Sequence, residues 1–345
     1  MTIRKEMEEH TLSKSIITDG ESILTLAFAE SESASAFLIS DSEGGIISST
    51  NLTSFDSKIL PETAKHGHHI TGLIGIPLPI DTDDSRSCVD RYVSGCKDAT
   101  IQMFDGSHKL VRTLKGHNKT VTSLSWLRFS KRSNILISGI WDGTAKLWDI
   151  SNRKCLTTMD GHENTVSVQG LPPTADANDN IDSMGRFVTG SAGIAAKNLI
   201  TGHKIRLYKV TLTTDNTLSL TTTLANTTPN DHTGPIRSLA FDTVTAMILS
   251  FSDDRTVKVR DSHSGECVLV LRTAPLHSNQ QPPMILDVIS LGPGKIVACS
   301  EDRNAFLWDI LNNKDDDQTQ SPQIISHPNC VWKVEALPNG DLVTA

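Results

Sequence analysis

The chain has 345 residues, 37% of them hydrophobic, and a formal charge of −8 with a pI near 5.8. That size and apolar content can supply one large repeat domain or two ordinary ones with a substantial core. Lys and Arg are scattered through an acidic chain, so no basic surface for nucleic acid is expected.

The opening "MTIRKEMEEHTLSKS" lacks the apolar run of a secretory signal, and residues 1–19 read as an N-terminal extension. The most apolar stretch, "ITGLIGIPLPI" (70–80), is short and broken by Pro77 and Pro79, so no membrane span is expected. These features point to the cytoplasm and nucleus. Six cysteines (Cys88, Cys96, Cys155, Cys267, Cys299 and Cys330) form no C-x-x-C pair, and packed thiols are expected in place of zinc or a disulfide framework. No cofactor or metal is expected.

From residue 20 onward the chain repeats itself. A degenerate unit, "SILTLAF" with "FLISDSEGGIIS", is followed by "GHHITGLIGI" with "YVSGCKDATIQMFD". The clearest unit spans 110–150, "LVRTLKGHNKTVTSLSWLRFSKRSNILISGIWDGTAKLWDI". It reads as four short strands, largely alternating and rich in Val, Ile, Thr, Leu and Trp, with Gly, Asn and Asp at the turns. The steps from Asp98 to Asp142, from His117 to His162 and from Asp254 to Asp302 fall at or just above the about 40–45 residues of a four-stranded propeller blade. Units near 20–50, 66–105, 110–150, 155–209, 231–261, 284–310 and 328–345 predict an all-β, seven-bladed propeller over 20–345. The last unit stops after two strands, so an incomplete seventh blade is expected.

In the third unit His117, Ser138, Asp142 and Trp148 are spaced to join a turn histidine, a strand hydroxyl, a turn carboxylate and an indole N–H in one buried chain. His232, Ser250 and Asp254 repeat the first three in the fifth unit, and Asp302 and Trp308 mark the sixth. A hydrolytic triad is the rival reading of His117, Ser138 and Asp142. It would need an exposed nucleophile on a G-x-S-x-G-like elbow, which is missing, and active sites are not normally built twice. No catalytic residues are assigned, and the chain reads as a non-enzyme.

The pattern weakens in places. Arg260 stands where the fifth unit should have Trp, and the fourth unit replaces its Asp turn with "IAAKNLITGHKIRLYK". Segments 172–184, 192–203, 211–231 and 311–323 read as inserted loops, and Asp315 to Asp317 as a solvated turn, since no spaced calcium-loop pattern follows.

The stretches "LKGHNKTVTSL…LISGIWDGTAKLWD", "HTGPIRSLAFDTVTAMILSFSDD", "SHSGECVLVL" and "CVWKVEALPNGDLVTA", in that order, resemble consecutive blades of the phospholipase-A2-activating protein family. The resemblance runs from about residue 20 to the end. Members are WD40-repeat proteins that bind ubiquitin and act as cofactors of the valosin-containing AAA ATPase, so it implies a ubiquitin-binding adaptor in ubiquitin-dependent degradation. Members continue with a ubiquitin-binding middle domain and an Armadillo-like domain that contacts the ATPase. Neither matches residues here, and ATPase binding is carried onto none of them. The alternative is a WD40 scaffold for another complex, in ribosome assembly or as a ubiquitin-ligase substrate receptor.

In such a propeller the residues flanking the first apolar position of each inner strand, and the residue before each turn Asp, project onto one face. That rule selects Thr71, Lys97, Thr120, Thr122, Trp141, Pro235, Arg237, Asp253, Glu301 and Trp332, with Cys330 beside the last. Two indoles near an Arg have the composition of a binding hot spot. Asp253 and Glu301 would suit the basic rim of ubiquitin's apolar patch. A second reading of Trp332 packs it between blades.

Overall fold

In the computed structural model the described residues are 2–4, 14–15, 23–30, 36–42, 47–51, 57–59, 68–76, 90–105, 107–127, 135–150, 152–172, 184–196, 199–201, 203–212, 218–223, 232–273, 283–311, 321–337 and 342–345. The alternating runs read from the sequence form strands, each turning back on the one before. Val121–Leu127, Ile135–Ile140, Ala145–Asp149 and Lys154–Met159 make one antiparallel sheet in that order. Seven four-stranded sheets of this kind are described, with one two-stranded ribbon, Ile194–Ala196 against Leu199–Thr201.

The seven innermost strands are Ile23–Glu30, Ile70–Gly75, Val121–Leu127, Val166–Leu171, Ile236–Asp242, Ile285–Gly292 and Val334–Ala336. Each packs beside the next, and Val334–Ala336 touches Ile23–Glu30, which closes a ring. The chain is the β-propeller that the repeats predict.

The core is not central. Six buried apolar clusters each lie between two neighbouring blades, as where Leu127, Ile137 and Leu147 meet Val166, Phe187 and Tyr208. Side chains alternate across a strand, so both faces of a blade are apolar and each face needs a neighbour. Close approach also explains the recurrent small residue of the second strand: a Cβ at Gly139 would collide with the Val166 carbonyl of the next blade.

Three expectations are corrected. The seventh blade is not incomplete: Val334–Ala336 and Leu342–Thr344 are joined by Thr2–Arg4 and then Lys14–Ser15 in a four-stranded sheet. Thr2 pairs with Thr344, Ile3 with Val343 and Arg4 with Leu342, so part of 1–19 belongs to the propeller. The physical reason is that Leu342–Thr344 would otherwise present an open row of backbone donors and acceptors.

Second, the sequence repeat and the blade are offset by one strand. Leu110–Leu114 pairs with Ile101–Asp105 and is the outer strand of the second blade, not the first strand of the third. Third, the presumed loops hold structure. Leu218–Thr223 is the outer strand of the fourth blade, the ribbon lies within 192–203, and Gln323 begins the outer strand of the sixth. Most of 172–184, residues 213–217 and 224–231, and Asp315 to Asp317 lie outside the described residues.

Removing residues 1–15 should strip two of four strands from the closing blade. A lower thermal midpoint and new self-association through the bared edge are expected, read by calorimetry and sedimentation velocity. An unchanged midpoint would show that these strands do not close the ring.

Candidate interaction face and central channel

The turn that carries each Asp is built the same way in four blades. Asp98 Oδ1 accepts from the Thr100 backbone N at 2.8 Å and hydroxyl at 2.6 Å, and Asp142 Oδ1 from those of Thr144 at 3.0 and 2.7 Å. Asp254 does the same with Thr256 at 3.1 and 2.6 Å, and Asp302 with Asn304 at 3.2 Å. The next residue adopts left-handed backbone in each case: Ala99, Gly143, Arg255 and Arg303, with φ of 67°, 89°, 67° and 69°. A short carboxylate two residues ahead of a free N–H is what stabilises such a turn.

Beyond the turn the four-residue networks differ. In the third blade Trp148 Nε1 donates to Ser138 Oγ at 2.8 Å, and Ser138 contacts His117 Nε2 at 2.8 Å. His117 Nδ1 has no partner among the described residues, so Asp142 is not joined to the chain as expected; its carboxylate is taken up by Thr144. The fifth blade completes the link. His232 Nδ1 meets Asp254 Oδ2 at 2.9 Å and His232 Nε2 meets Ser250 Oγ at 2.9 Å. Arg260, buried in the Trp position, sends Nε toward Ser250 at 3.5 Å and Nη1 to the Gly265 carbonyl at 3.3 Å.

The fourth blade keeps only His162 on Thr189, at 2.6 Å, and in the sixth Trp308 Nε1 has no partner among the described residues. Register explains Trp308: Ala298 occupies the place that Ser138 and Ser250 hold. The Ser250, His232 and Asp254 arrangement resembles a hydrolytic triad in outline. Ser250 is wholly buried, however, and no substrate could reach its hydroxyl.

Burial sets the charge of these histidines. It lowers His117 to about 4, helped by Lys146 and opposed by Asp142, and lowers His162 to about 3, helped by Arg206 and Lys204. Burial likewise holds His232 below its ordinary value against the pull of Asp254, leaving a neutral ring that donates to an ionised carboxylate.

One backbone bond, repeated, assembles the face. Lys97 N donates to His69 O, Trp141 N to Thr120 O, Asp253 N to Pro235 O and Glu301 N to Met284 O, all at 2.9 to 3.0 Å. Each residue before a turn Asp is thereby held beside the residue that leads into the inner strand. Trp141 is 52% exposed and Trp332 46% exposed, so neither indole is packed away between blades. Lys97 and Glu301 are also exposed, whereas Thr120 is buried. Arg237 grips Asp253 through Nε at 2.9 Å and Nη2 at 2.6 Å. Cys330 lies near Glu301; burial and then that carboxylate raise its thiol.

Thr71 and Thr122 are spent on the ring. Thr71 Oγ1 donates to Val121 O, Thr122 Oγ1 to Val166 O at 2.8 Å, and Ser167 Oγ to Arg237 O at 2.8 Å, each crossing to the next inner strand. Trp126 adds a bond backward, from Nε1 to Gly75 O at 2.8 Å.

Inside these strands lies a channel of about 490 Å³ lined by residues of all seven blades. It holds charges that sequence reasoning missed. Asp287, 3% exposed, pairs with Lys333 Nζ at 2.9 Å and accepts from Ser238 Oγ at 2.9 Å. Burial opposes the Lys333 charge, but Asp287 outweighs it and raises the ammonium above its usual range. Glu335, two residues on, is pushed up to about 7 by burial, with Lys333 pulling it down and Asp287 pushing it further. The legible signal was a charge interrupting an apolar inner strand, in "ILDVIS" and "WKVEAL". Among the described residues no group of three His, Cys, Asp or Glu is placed to hold a metal ion, and no helix is long and apolar enough to cross a membrane.

The family model for "WD domain, G-beta repeat" matches residues 108–149 and 220–261. Nuclear distribution protein PAC1 of Arthroderma otae is 30% identical over 216 residues, 61% of this chain and 43% of that protein. Phospholipase A-2-activating protein of Xenopus laevis is 43% identical over 81 residues, 23% of this chain and 9% of the relative. The chain thus spans less than half the length of these curated relatives. Among solved structures, the WD40 beta propeller domain of Doa1 superposes with a TM-score of 0.63 at 20% identity, covering 96% of this chain and 92% of that one, a likeness of fold.

Ala298→Ser should offer Trp308 Nε1 the acceptor it lacks and stabilise the chain by about 0.5–1.5 kcal/mol in chemical denaturation; a loss of stability would mean that the site cannot hold the hydroxyl. Because folding depresses His117 and His162, the unfolded chain binds their protons first as pH falls. Stability should be full above about pH 6.5 and decline down to about pH 4 and below. Replacing both by Gln should flatten that part of a midpoint-versus-pH curve, and an unaltered slope would contradict it. The repeats at 108–149 and 220–261 and the shape of the ring make this chain a β-propeller that carries WD40 repeats.

Proposed function

We propose that the face bearing Trp141 and Trp332 binds ubiquitin or ubiquitinated proteins, and that the chain is a non-catalytic adaptor in ubiquitin-dependent protein degradation. The observation that carries this reading is the pair of half-exposed indoles held on the third and seventh blades. Exposed aromatic side chains anchored by a rigid backbone favour binding, because little rotamer freedom remains to be lost. The carboxylate of Glu301 gives the face an acidic point suited to a partner with a basic rim, while Asp253 is paired with Arg237. The 43% identity to phospholipase A-2-activating protein over 81 residues supports the same reading.

Ubiquitin would contact a small area, below about 1,200 Å², and exchange rapidly. Cooperation with a AAA ATPase, through parts of the family's architecture that match no residue here, and work in the cytoplasm and nucleus belong to the same proposal. Arg237 and Asp253 form a surface pair that contributes at most about 1 kcal/mol to stability, so they can be altered without unfolding the blade.

Titration of isotopically labelled ubiquitin with the chain should shift a contiguous set of ubiquitin amides. Trp141→Ala and Trp332→Ala should each weaken the response about tenfold, with thermal midpoints unchanged because both indoles are exposed. No shift at millimolar protein would remove ubiquitin as the partner, and equal binding by both variants would move the contact elsewhere.

A further inference from the structure

The central channel presents a charge imbalance that the ring itself does not resolve. Asp287 is buried and fully engaged: its carboxylate holds Lys333 Nζ at 2.9 Å and Ser238 Oγ at 2.9 Å. Lys333 is therefore neutralised by a partner on the neighbouring blade. Arg237, the other cation lining the channel, is committed to Asp253 through two nitrogens. Glu335 also lines the channel, and no side-chain hydrogen bond from any described residue reaches its carboxylate. Asp287, Lys333 and Glu335 together carry one uncompensated negative charge when Glu335 is ionised.

The surroundings suit a guest. At about 490 Å³ the space falls within the about 300–1,000 Å³ typical of ligand sites. Its exposed lining is mainly polar, with the Ser123 and Ser238 hydroxyls among the groups that face it. A carboxyl in such a place is poorly solvated, and a cation brought against it gains more than it would in water. An anionic guest would have to take Lys333 away from Asp287, leaving a buried carboxylate unpaired.

We propose that the channel is a binding site for one organic monocation, a guanidinium or ammonium group of the kind an arginine or lysine side chain carries, with Glu335 as its counter-charge. Glu335 accepts the N–H donors of the guest, and the Asp287–Lys333 pair stays intact beside it. Trp332 and Arg237 belong both to the proposed ubiquitin face and to the channel lining, but the counter-charge here is Glu335 and the test below contains no ubiquitin, so either proposal can fail alone.

The test is isothermal titration of the full chain with N-acetyl-arginine amide, its neutral citrulline counterpart, methylguanidinium and acetate. The arginine compound should bind, and the citrulline and acetate probes should bind at least tenfold more weakly or not at all. Glu335→Gln should reduce arginine binding at least tenfold, and Glu335→Asp should restore part of it. Methylguanidinium binding as tightly as the arginine compound assigns the site to a free cation, and tighter binding of the arginine compound assigns it to a side chain. Equal binding of citrulline and arginine, preference for acetate, unchanged affinity in Glu335→Gln, or no binding of any probe at millimolar concentration would each overturn the proposal. Circular dichroism of the two variants confirms that the ring is intact.

Discussion

Among the described residues, the second to sixth blades of this protein are apolar on both faces, and that drives the ring to close. A twisted four-stranded sheet can cover one of its faces with a neighbour, but in an open row the end blades would each leave one face wet. Closure removes both exposures at once. The described clusters show the result, with the core divided into slabs between blades and none of it gathered at the centre. The seventh blade is therefore the place on which the rest depends: within it Thr2–Arg4 pairs with Leu342–Thr344, and Asp287 reaches across from the sixth blade to Lys333 at its inner strand.

The hydrogen bonds around the axis act in two tiers. Hydroxyls of Thr71, Thr122 and Ser167 tie four consecutive inner strands to one another, Ser238 carries the series on to Asp287, and the pair of Asp287 and Lys333 continues it to the seventh blade. Farther out, the carboxylate turns of Asp98, Asp142, Asp254 and Asp302 shape the face regardless of whether the histidine network behind them is whole. This separation explains how Arg260 can replace an indole, and Ala298 a hydroxyl, without disturbing the turn that presents the exposed residue. Local turn chemistry, not the buried network, decides where Trp141 and Glu301 stand.

Much of this was legible in the residues themselves. Alternation with Gly-His and Trp-Asp punctuation revealed the strands and the repeat, because period-two burial and tight turns leave a compositional trace. The positions of Trp141 and Trp332 followed from the repeat together with the rule for which residues such a propeller projects, whereas the exposure of Trp332, which had a packed alternative, did not. Three things were hidden. Thr2–Arg4 carries no strand signal of its own, since three residues show no period and its pairing comes from an edge more than three hundred positions away. The repeat in the sequence begins one strand before the sheet does, so Leu110–Leu114 was assigned to the wrong blade. Asp142 and His117 have the right spacing, yet Thr144 takes up the carboxylate first, a competition that spacing cannot express.

A propeller closed by its own first strand is a stiff platform, and both the indole-bearing face and the charged channel gain their geometry from that stiffness. The direct test is a cross-link at the joint. Ile3 and Val343 are opposite one another in the antiparallel ladder, at a separation that a disulfide can span. In the Ile3→Cys, Val343→Cys variant, mild oxidation should link the first and last tryptic peptides within one molecule and raise the thermal midpoint. Failure of that link to form, or its appearance only between molecules, would mean that the ring is not sealed in this way.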